Sequence, residues 1–302
     1  MSNQLIRAMA AGGQVRALAI TATGMVEEAR SRHDTWPTAT AALGRSLIAV
    51  ALLGATLKNG ETVTLRIIGD GPLGGIITQA GADGWVRGYV QEPHTDLPPK
   101  APGKLDVGKA VGQGHLYITR DLGLKEPYTG TSPLVSGEIA EDLTYYFAQS
   151  EQIPSVVALG VLVAPGGGVI AAGGYLIQLL PGAGEDVVER LEANVAAIPP
   201  VSDLVEQGLN AEQILEKVLA GMELQVLESR EVGFGCRCSK ERLGGVLISL
   251  GWRELAEMAA EGGAELKCHF CEEVYHFNKA ELEQLMHGLG GNQHGDTDSG
   301  HD

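Results

Sequence analysis

The first 235 residues of this 302-residue chain contain no cysteine. Most of its length therefore carries neither a disulfide framework nor a thiol nucleophile. Basic residues are scarce as well: 22 Lys and Arg stand against 38 Asp and Glu, a formal net charge of −16. Much of the excess falls in residues 201–302, with 19 acidic and 8 basic side chains. Phosphate backbones are gripped by Lys and Arg with release of counterions, so this balance disfavours a nucleic-acid partner. A long apolar run is also missing. The longest, Leu47 to Leu57, is broken by Gly54 and Thr56 and is too short to span a bilayer. Met1 to Ala11 lacks the charged start and apolar run of an export signal. The expectation is a cytoplasmic protein with no membrane segment. In a reducing compartment, metal binding or redox sensing is a more natural use of thiols than resting disulfides.

The length allows about two domains, and 44% apolar with 20% charged residues allows a sizeable core. Val15 to Ile20 reads as a strand, followed by a turn at Gly24. Thr38 to Leu57, rich in Ala and Leu with Pro37 near its start, reads as a buried helix. Val63, Leu65 and Ile67 alternate with Thr62, Thr64 and Arg66, the period of a half-buried strand. Ile76 to Ala80 and Trp85 to Val90 continue this into a meander. Between the first two strands, Gly69-Asp70-Gly71-Pro72-Leu73-Gly74 has the form G-x-G-x-x-G. A dinucleotide site needs a helix straight after those glycines, and a strand pattern follows instead, so a hairpin turn is the better reading. No Walker-type phosphate loop is present either.

Glu92 to Gly103 and Pro127 to Pro133 read as loops, His115 to Arg120 as a strand, and Glu138 to Ser150 as a helix. Val156 to Val163 and Val169 to Leu180 are two more strands. Clustered strands with few helices between them define an α+β domain of mixed or antiparallel sheets, assigned to residues 1–181. Residues 182–230 read as a helical connector. Val188, Leu191, Val195 and Ile198 share one face of a helix over Glu185 to Ile198, which Pro199-Pro200 stops. Asn210 and Gln213 form a capping-box pair before Ile214, Leu215 and Val218. Such narrow apolar stripes need a neighbour to pack against.

The small domain covers residues 231–288, and residues 289–302 read as a polar, Gly-rich disordered tail with His294 and His301. All four cysteines lie in the small domain, as Cys236-x-Cys238 and Cys268-x-x-Cys271 with 29 residues between the pairs. Two close pairs with none elsewhere suit a tetrahedral zinc thiolate site. His269 and His276 are possible replacement ligands, although four thiolates already complete the shell. Ser239 can cap a helix through Leu250, Trp252 to Ala260 is a second, and Leu266 to Cys268 with Val274 to Phe277 form a hairpin. Asn278 and Glu281 make another capping box, opening a helix to His287. A unit this small buries too little surface to be comfortably stable and needs a staple. Structural zinc supplies roughly 10–16 kcal/mol of apparent binding energy in such units.

Two roles for that staple stay open on spacing alone. One is a permanent structural zinc. The other is a switch: each pair can be oxidised to its own disulfide, with a local bend at the C-x-C pair because residues i and i+2 lie up to about 7 Å apart when extended. Oxidation removes thiolate ligands, and the folding energy of metal binding goes with them. An oxidoreductase using Cys268 and Cys271 is disfavoured because that pair sits in a hairpin, not at a helix start in a βαβ unit.

Phe234-Gly235-Cys236-Arg237-Cys238-Ser239-Lys240-Glu241-Arg242 and Cys268-His269-Phe270-Cys271, with Tyr275 and Phe277, closely resemble the redox-switch domain of the heat shock protein 33 family. The likeness extends through Pro37 to Arg45, Gly69 to Gly74, Val86 to Val90, Gly137 to Leu143 and Ser150 to Ser155, and spares only the tail. It implies a bacterial chaperone without enzymatic activity. The resemblance further implies a reduced, inactive state in which Zn2+ is held by Cys236, Cys238, Cys268 and Cys271. On the same resemblance, oxidation would form disulfides Cys236–Cys238 and Cys268–Cys271, metal would leave, and the small domain and connector would unfold. A homodimer then holds unfolding client proteins without ATP. Leu191, Val195, Ile214 and Leu215 are the expected client-binding residues. The alternatives are a thiol–disulfide oxidoreductase or a constitutive zinc-stabilised binding protein.

An isolated fragment covering residues 232–287 should show native far-UV circular dichroism only with zinc present. Identical native spectra with and without zinc would show that the staple is dispensable.

Overall fold

The computed structural model describes residues 3–290, and the expected tail falls outside the described residues from 291 onward. The chain divides between Gly235 and Cys236 into two compact units.

In the larger unit a single helix is the axis. After strands β1 (Gln4–Ala10) and β2 (Val15–Thr21) and helix α1 (Thr23–His33) comes α2 (Pro37–Gly54). Pro37 occupies its first turn, where a missing N–H costs nothing, and every residue except Pro37 and Arg45 is buried. A helix apolar on all sides has to lie in an interior. Among the described residues it is the one helix long and apolar enough to cross a membrane, and it is enclosed by protein instead.

Two sheets enclose it. Strands β3 (Thr62–Gly69), β4 (Gly75–Gly81) and β5 (Trp85–Val90) are followed by α3 (Val107–Val111), β6 (Gly114–Asp121) and β7 (Tyr128–Pro133). Next come α4 (Ile139–Tyr146), which continues as a π-helical turn over Phe147–Glu151, then β8 (Ser155–Val163) and β9 (Val169–Leu179). The connector follows as α5 (Glu185–Ala197), α6 (Val201–Glu206), α7 (Ala211–Val218) and β10 (Leu224–Glu231), and β11 (Gly233–Phe234) ends the unit. One sheet runs β10-β1-β2-β9-β8, the other β11-β5-β4-β3-β6-β7. All pairings are antiparallel except β11 with β5. The α+β class with mixed and antiparallel sheets is as the strand pattern implied.

Several local readings need correction. Gly24 belongs to the first turn of α1, not to a turn, and β1 escapes notice because its apolar residues do not alternate cleanly. Residues 128–133, read as a loop, pair with β6 as an edge strand; Pro133 is tolerated at its end. The connector is not wholly helical: β10 pairs along the length of β1. The glycine-rich turn does join β3 to β4 as an antiparallel hairpin. Its glycines are explained by α3, because a Cβ at Gly69 or Gly71 would collide with the carbonyls of Val111 and Ala110. Asp70 accepts the Gln113 N–H at 2.7 Å and secures the same contact.

Helices α5 to α7 pack on the face of the five-stranded sheet opposite α2. Added Cβ atoms at adjacent Gly173 and Gly174 would meet Val205 of α6 and Ile48 of α2 respectively. Leu191, Ile214 and Leu215 are buried against Ile6, Ala8, Val15, Ala17 and Ile177, with Val195 half-buried beside them. The capping box at Asn210 forms as expected, with Asn210 Oδ1 accepting the Gln213 N–H and Gln213 Oε1 accepting the Asn210 N–H.

The smaller unit holds α8 (Lys240–Leu250), α9 (Trp252–Ala260), the hairpin β12 (Gly263–Lys267) and β13 (Val274–Asn278), and α10 (Lys279–Gly290). Its fully buried apolar residues are few: Leu247, Leu255, Ala259, Phe277 and Leu282. Asn278 and Glu281 form the second capping box. Lys240 ties α8 to α10 through Glu281 at 2.6 Å and lies 5.2 Å from the Phe277 ring centroid.

Arg45, the charged residue of α2, is paired where it meets the interior's edge. It donates to Glu138, which stands immediately before α4 and also pairs with Lys100. Burial raises the Glu138 carboxyl, but the Lys100 hydrogen bond and the two positive charges outweigh it and hold the group below its ordinary range. A carboxylate with a depressed folded-state pKa stabilises above its unfolded value, and that contribution is lost as pH falls through the folded one. Glu138→Gln should therefore cost about 3 kcal/mol near neutral pH, and the gap to wild type should close on acidification below the usual glutamate range. Urea unfolding at several pH values checks this; a gap independent of pH would contradict the ion pair's role.

Candidate metal centre

The four cysteines reach one point from two short segments. Cys236 and Cys238 lie in the irregular stretch before α8, whose first turn is held by Ser239 Oγ accepting the Arg242 N–H at 3.3 Å. The Arg242 guanidinium donates back to the carbonyl of Arg237, the residue between the two cysteines, at 2.8 Å. The C-x-C segment is thus tied to the first turn of α8. Cys268 and Cys271 occupy the turn between β12 and β13. Cys268 donates to the Glu273 carbonyl at 2.9 Å and accepts from the Glu272 N–H at 2.8 Å, with Glu272 in the left-handed region at φ 62°. The expected hairpin strand through Cys268 stops at Lys267, leaving both sulfurs on the turn.

All four Sγ atoms lie within 4.8 Å of one another. Cys236 and Cys268 are 3.8 Å apart, and Cys238 and Cys271 3.3 Å. A tetrahedron of sulfurs about 2.3 Å from a zinc ion has an edge of about 3.8 Å. The donor set therefore fits such an ion in number, kind and spacing. Among the described residues no histidine joins the cluster, and His276 pairs with Glu265 on the exposed side of the hairpin at 3.4 Å.

Electrostatics point the same way. Burial pushes the Cys268 and Cys271 thiols up, and the nearby Cys236 sulfur adds to the effect at both. Against this, the Phe270 N–H donates to Cys268 and the Glu273 N–H to Cys271, bonds that favour the thiolate. A cage that offers N–H donors to its sulfurs yet cannot hold their charges together is suited to a cation at its centre. Cys268 and Cys271 are buried, whereas Cys236 and Cys238 are partly open to solvent.

Tyr275 belongs to the site although spacing gave no hint of a role. Its hydroxyl lies 3.2 Å from Cys238 Sγ and 3.4 Å from the Cys238 carbonyl. The bond to Cys238 pushes the phenol up from its ordinary range. Such contacts orient a ligating side chain. The signal was its register: Tyr275 pairs with Leu266, two residues before Cys268.

A two-sheet α+β unit followed by a small unit with four convergent sulfurs defines a protein with a cysteine centre able to hold a metal ion, and comparison with known proteins supplies the family. The family model described as Hsp33 protein matches residues 3–278. The chain is 56% identical over 291 residues to the 33 kDa chaperonin of Symbiobacterium thermophilum, covering 96% of this chain and 99% of that protein. It is 53% identical over 287 residues to the 33 kDa chaperonin of Desulforamulus reducens, covering 95% and 98%. The crystal structure of the 33 kDa chaperonin, a heat shock protein 33 homologue, from Thermotoga maritima superimposes with a TM-score of 0.89 at 38% identity, covering 96% of this chain and all of that one. The chain belongs to the Hsp33 family of chaperones.

Replacing one ligand leaves three sulfurs to share the ion. Cys268→Ser should lower zinc affinity by orders of magnitude and loosen the small unit, read by metal release to a chromogenic chelator and by amide exchange. Unchanged stoichiometry and affinity would exclude Cys268 from the ligand set.

Proposed function

We propose that the protein is a redox-regulated, ATP-independent holdase of the cytoplasm and not an enzyme. In the reduced state Cys236, Cys238, Cys268 and Cys271 hold one Zn2+, which supplies folding energy to the small unit. The observation that carries this reading is the convergence of the four sulfurs within 4.8 Å in a unit with few buried apolar residues.

Activation is a change of bonding partner for sulfur. The two thiolates of each pair surrender two electrons to hydrogen peroxide, a disulfide forms as the O–O bond breaks, and the peroxide oxygens take up two protons from solvent and leave as two waters. Two sulfur pairs in contact, Cys236 with Cys268 at 3.8 Å and Cys238 with Cys271 at 3.3 Å, join different segments. Disulfides there would close loops of some thirty residues and staple the unit shut. The pairs Cys236–Cys238 and Cys268–Cys271 close almost no chain, so they remove the ligands without supplying a replacement constraint. Local pairing is therefore the pairing that unfolds the unit.

Client binding is assigned to the connector. Leu191, Ile214 and Leu215 are buried, and Val195 half-buried, in the cluster against the five-stranded sheet. They are unavailable while the connector is packed, which supports a surface released on activation. Helices as short as α6 and α7 do not persist alone in water, so loss of that packing would melt them. Unfolding proteins are the partners, a homodimer is the oxidised form, and neither nucleic acid nor membrane takes part.

The test is light scattering of a thermally unfolding client. Reduced, zinc-loaded protein should leave aggregation nearly unchanged, and peroxide-treated protein should suppress it at near-stoichiometric amounts. Peptide mapping of the oxidised form should find Cys236–Cys238 and Cys268–Cys271. Equal activity in both states, or cross-segment disulfides in the active form, would overturn the switch.

A further inference from the structure

The α2 side of the five-stranded sheet loses its apolar cover where that helix ends. There Arg7, Met9, Arg16, Thr56 and Leu227 line a cavity of about 330 Å³. Its position follows from strand register. Met9 of β1 faces Arg16 of β2, and Arg7 lies two residues back along the same face of β1. Two guanidinium groups thus flank one methionine. On the third strand the register slips: Arg7 is opposite Glu228 and Ala8 opposite Val226, so Leu227 is the extra residue of a bulge. A bulge re-aims the side chain it carries, and Leu227 adds an apolar wall.

The positive charge in this cavity is incompletely answered. None of the five lining residues is acidic. Arg7 is 3.5 Å from Glu228, whose other oxygen is closer to Arg230 at 2.8 Å. Arg7 Nε is buried with no hydrogen-bond partner. Arg16 donates to the neutral Gln178 amide oxygen at a long 3.4 Å. Each guanidinium has five N–H donors, so both have donors to spare. In a chain of net charge −16, two arginines in one recess form a local positive field that draws in a small anion.

The geometry points to a binding site for a compact organic carboxylate, gripped by Arg7 and Arg16, with its short apolar arm against Met9 and Leu227. Planar guanidinium matches a carboxylate in paired hydrogen bonds. The volume is at the lower end of small-molecule sites. Inorganic phosphate would satisfy the arginines but leave Met9 and Leu227 without a partner. The cysteines take no part, but Leu227 belongs to β10 of the connector, so the site is complete in the reduced, folded protein whatever the outcome of the redox test.

Isothermal titration of the reduced, full-length protein with hexanoate, hexanamide and inorganic phosphate tests it. Hexanoate should bind saturably at one site per chain and more weakly at high salt, with hexanamide weaker by about tenfold or more. Phosphate should bind less tightly than hexanoate. Arg16→Gln should weaken hexanoate by about tenfold. Leu227→Glu changes a half-exposed position, should leave the fold intact as checked by circular dichroism, and places a repelling carboxylate at the cavity wall, so it should abolish binding even if the arginine variant is unstable. The assignment is overturned by equal binding of hexanoate and hexanamide, by tighter binding of phosphate, or by hexanoate affinity unchanged in Leu227→Glu.

Discussion

Four ionisable sulfurs confined within 4.8 Å of one another are the constraint on which the smaller unit rests. They cannot carry their charges together without a cation between them, and burial of Cys268 and Cys271 sharpens the conflict. The conflict has three resolutions: protonate the thiols, bind a metal, or join the sulfurs to each other. Protonation leaves the unit with few buried side chains to hold it. Metal binding ties the segment before α8 to the β12–β13 turn. Local disulfides untie them. The proposed switch needs no further moving part.

The larger unit is built on the opposite principle. Helix α2 is surrounded by two sheets, and its stability comes from apolar burial that no oxidant touches. Between these extremes are α5 to α7. They contribute Val187, Leu191, Val205, Ile214 and Leu215 to a cluster completed by sheet residues. They are short, and their sequence alone gives them little helical stability. A segment folded by its neighbour's surface can be released without damage to that neighbour, which is what the proposed switch requires of it.

Much of this was legible from residues alone. Alternation in Thr62 to Ile68 marked a strand, the apolar run with Pro37 marked α2, and the Asn210 and Asn278 boxes marked two helix starts to the residue. These signals are local, because they concern one face or one cap. Edge strands gave weaker ones. Tyr128–Pro133 contains Gly130 and ends in proline, and only its pairing with β6 makes it a strand. Leu224–Glu231 mixes charged and apolar residues because one edge meets solvent, so the connector read as helix throughout. The glycine motif was correctly separated from phosphate binding, but its true cause, the backbone of α3, lies some forty residues away in the chain.

By itself the sequence determined the chemistry of the centre. Two thiol pairs in a unit too small to stand alone call for a cation, because the donors and the deficit of core are both matters of composition. It also determined the α+β class, through the periods of its apolar residues. Tertiary structure decided the rest. It placed sulfurs from distant segments at tetrahedral spacing, brought the Tyr275 hydroxyl to Cys238, and buried Leu191 and Leu215 against strands that precede them by more than a hundred residues. Such contacts depend on strand register and chain reversal, which are set by the sum of all pairings and are written in no single stretch of residues.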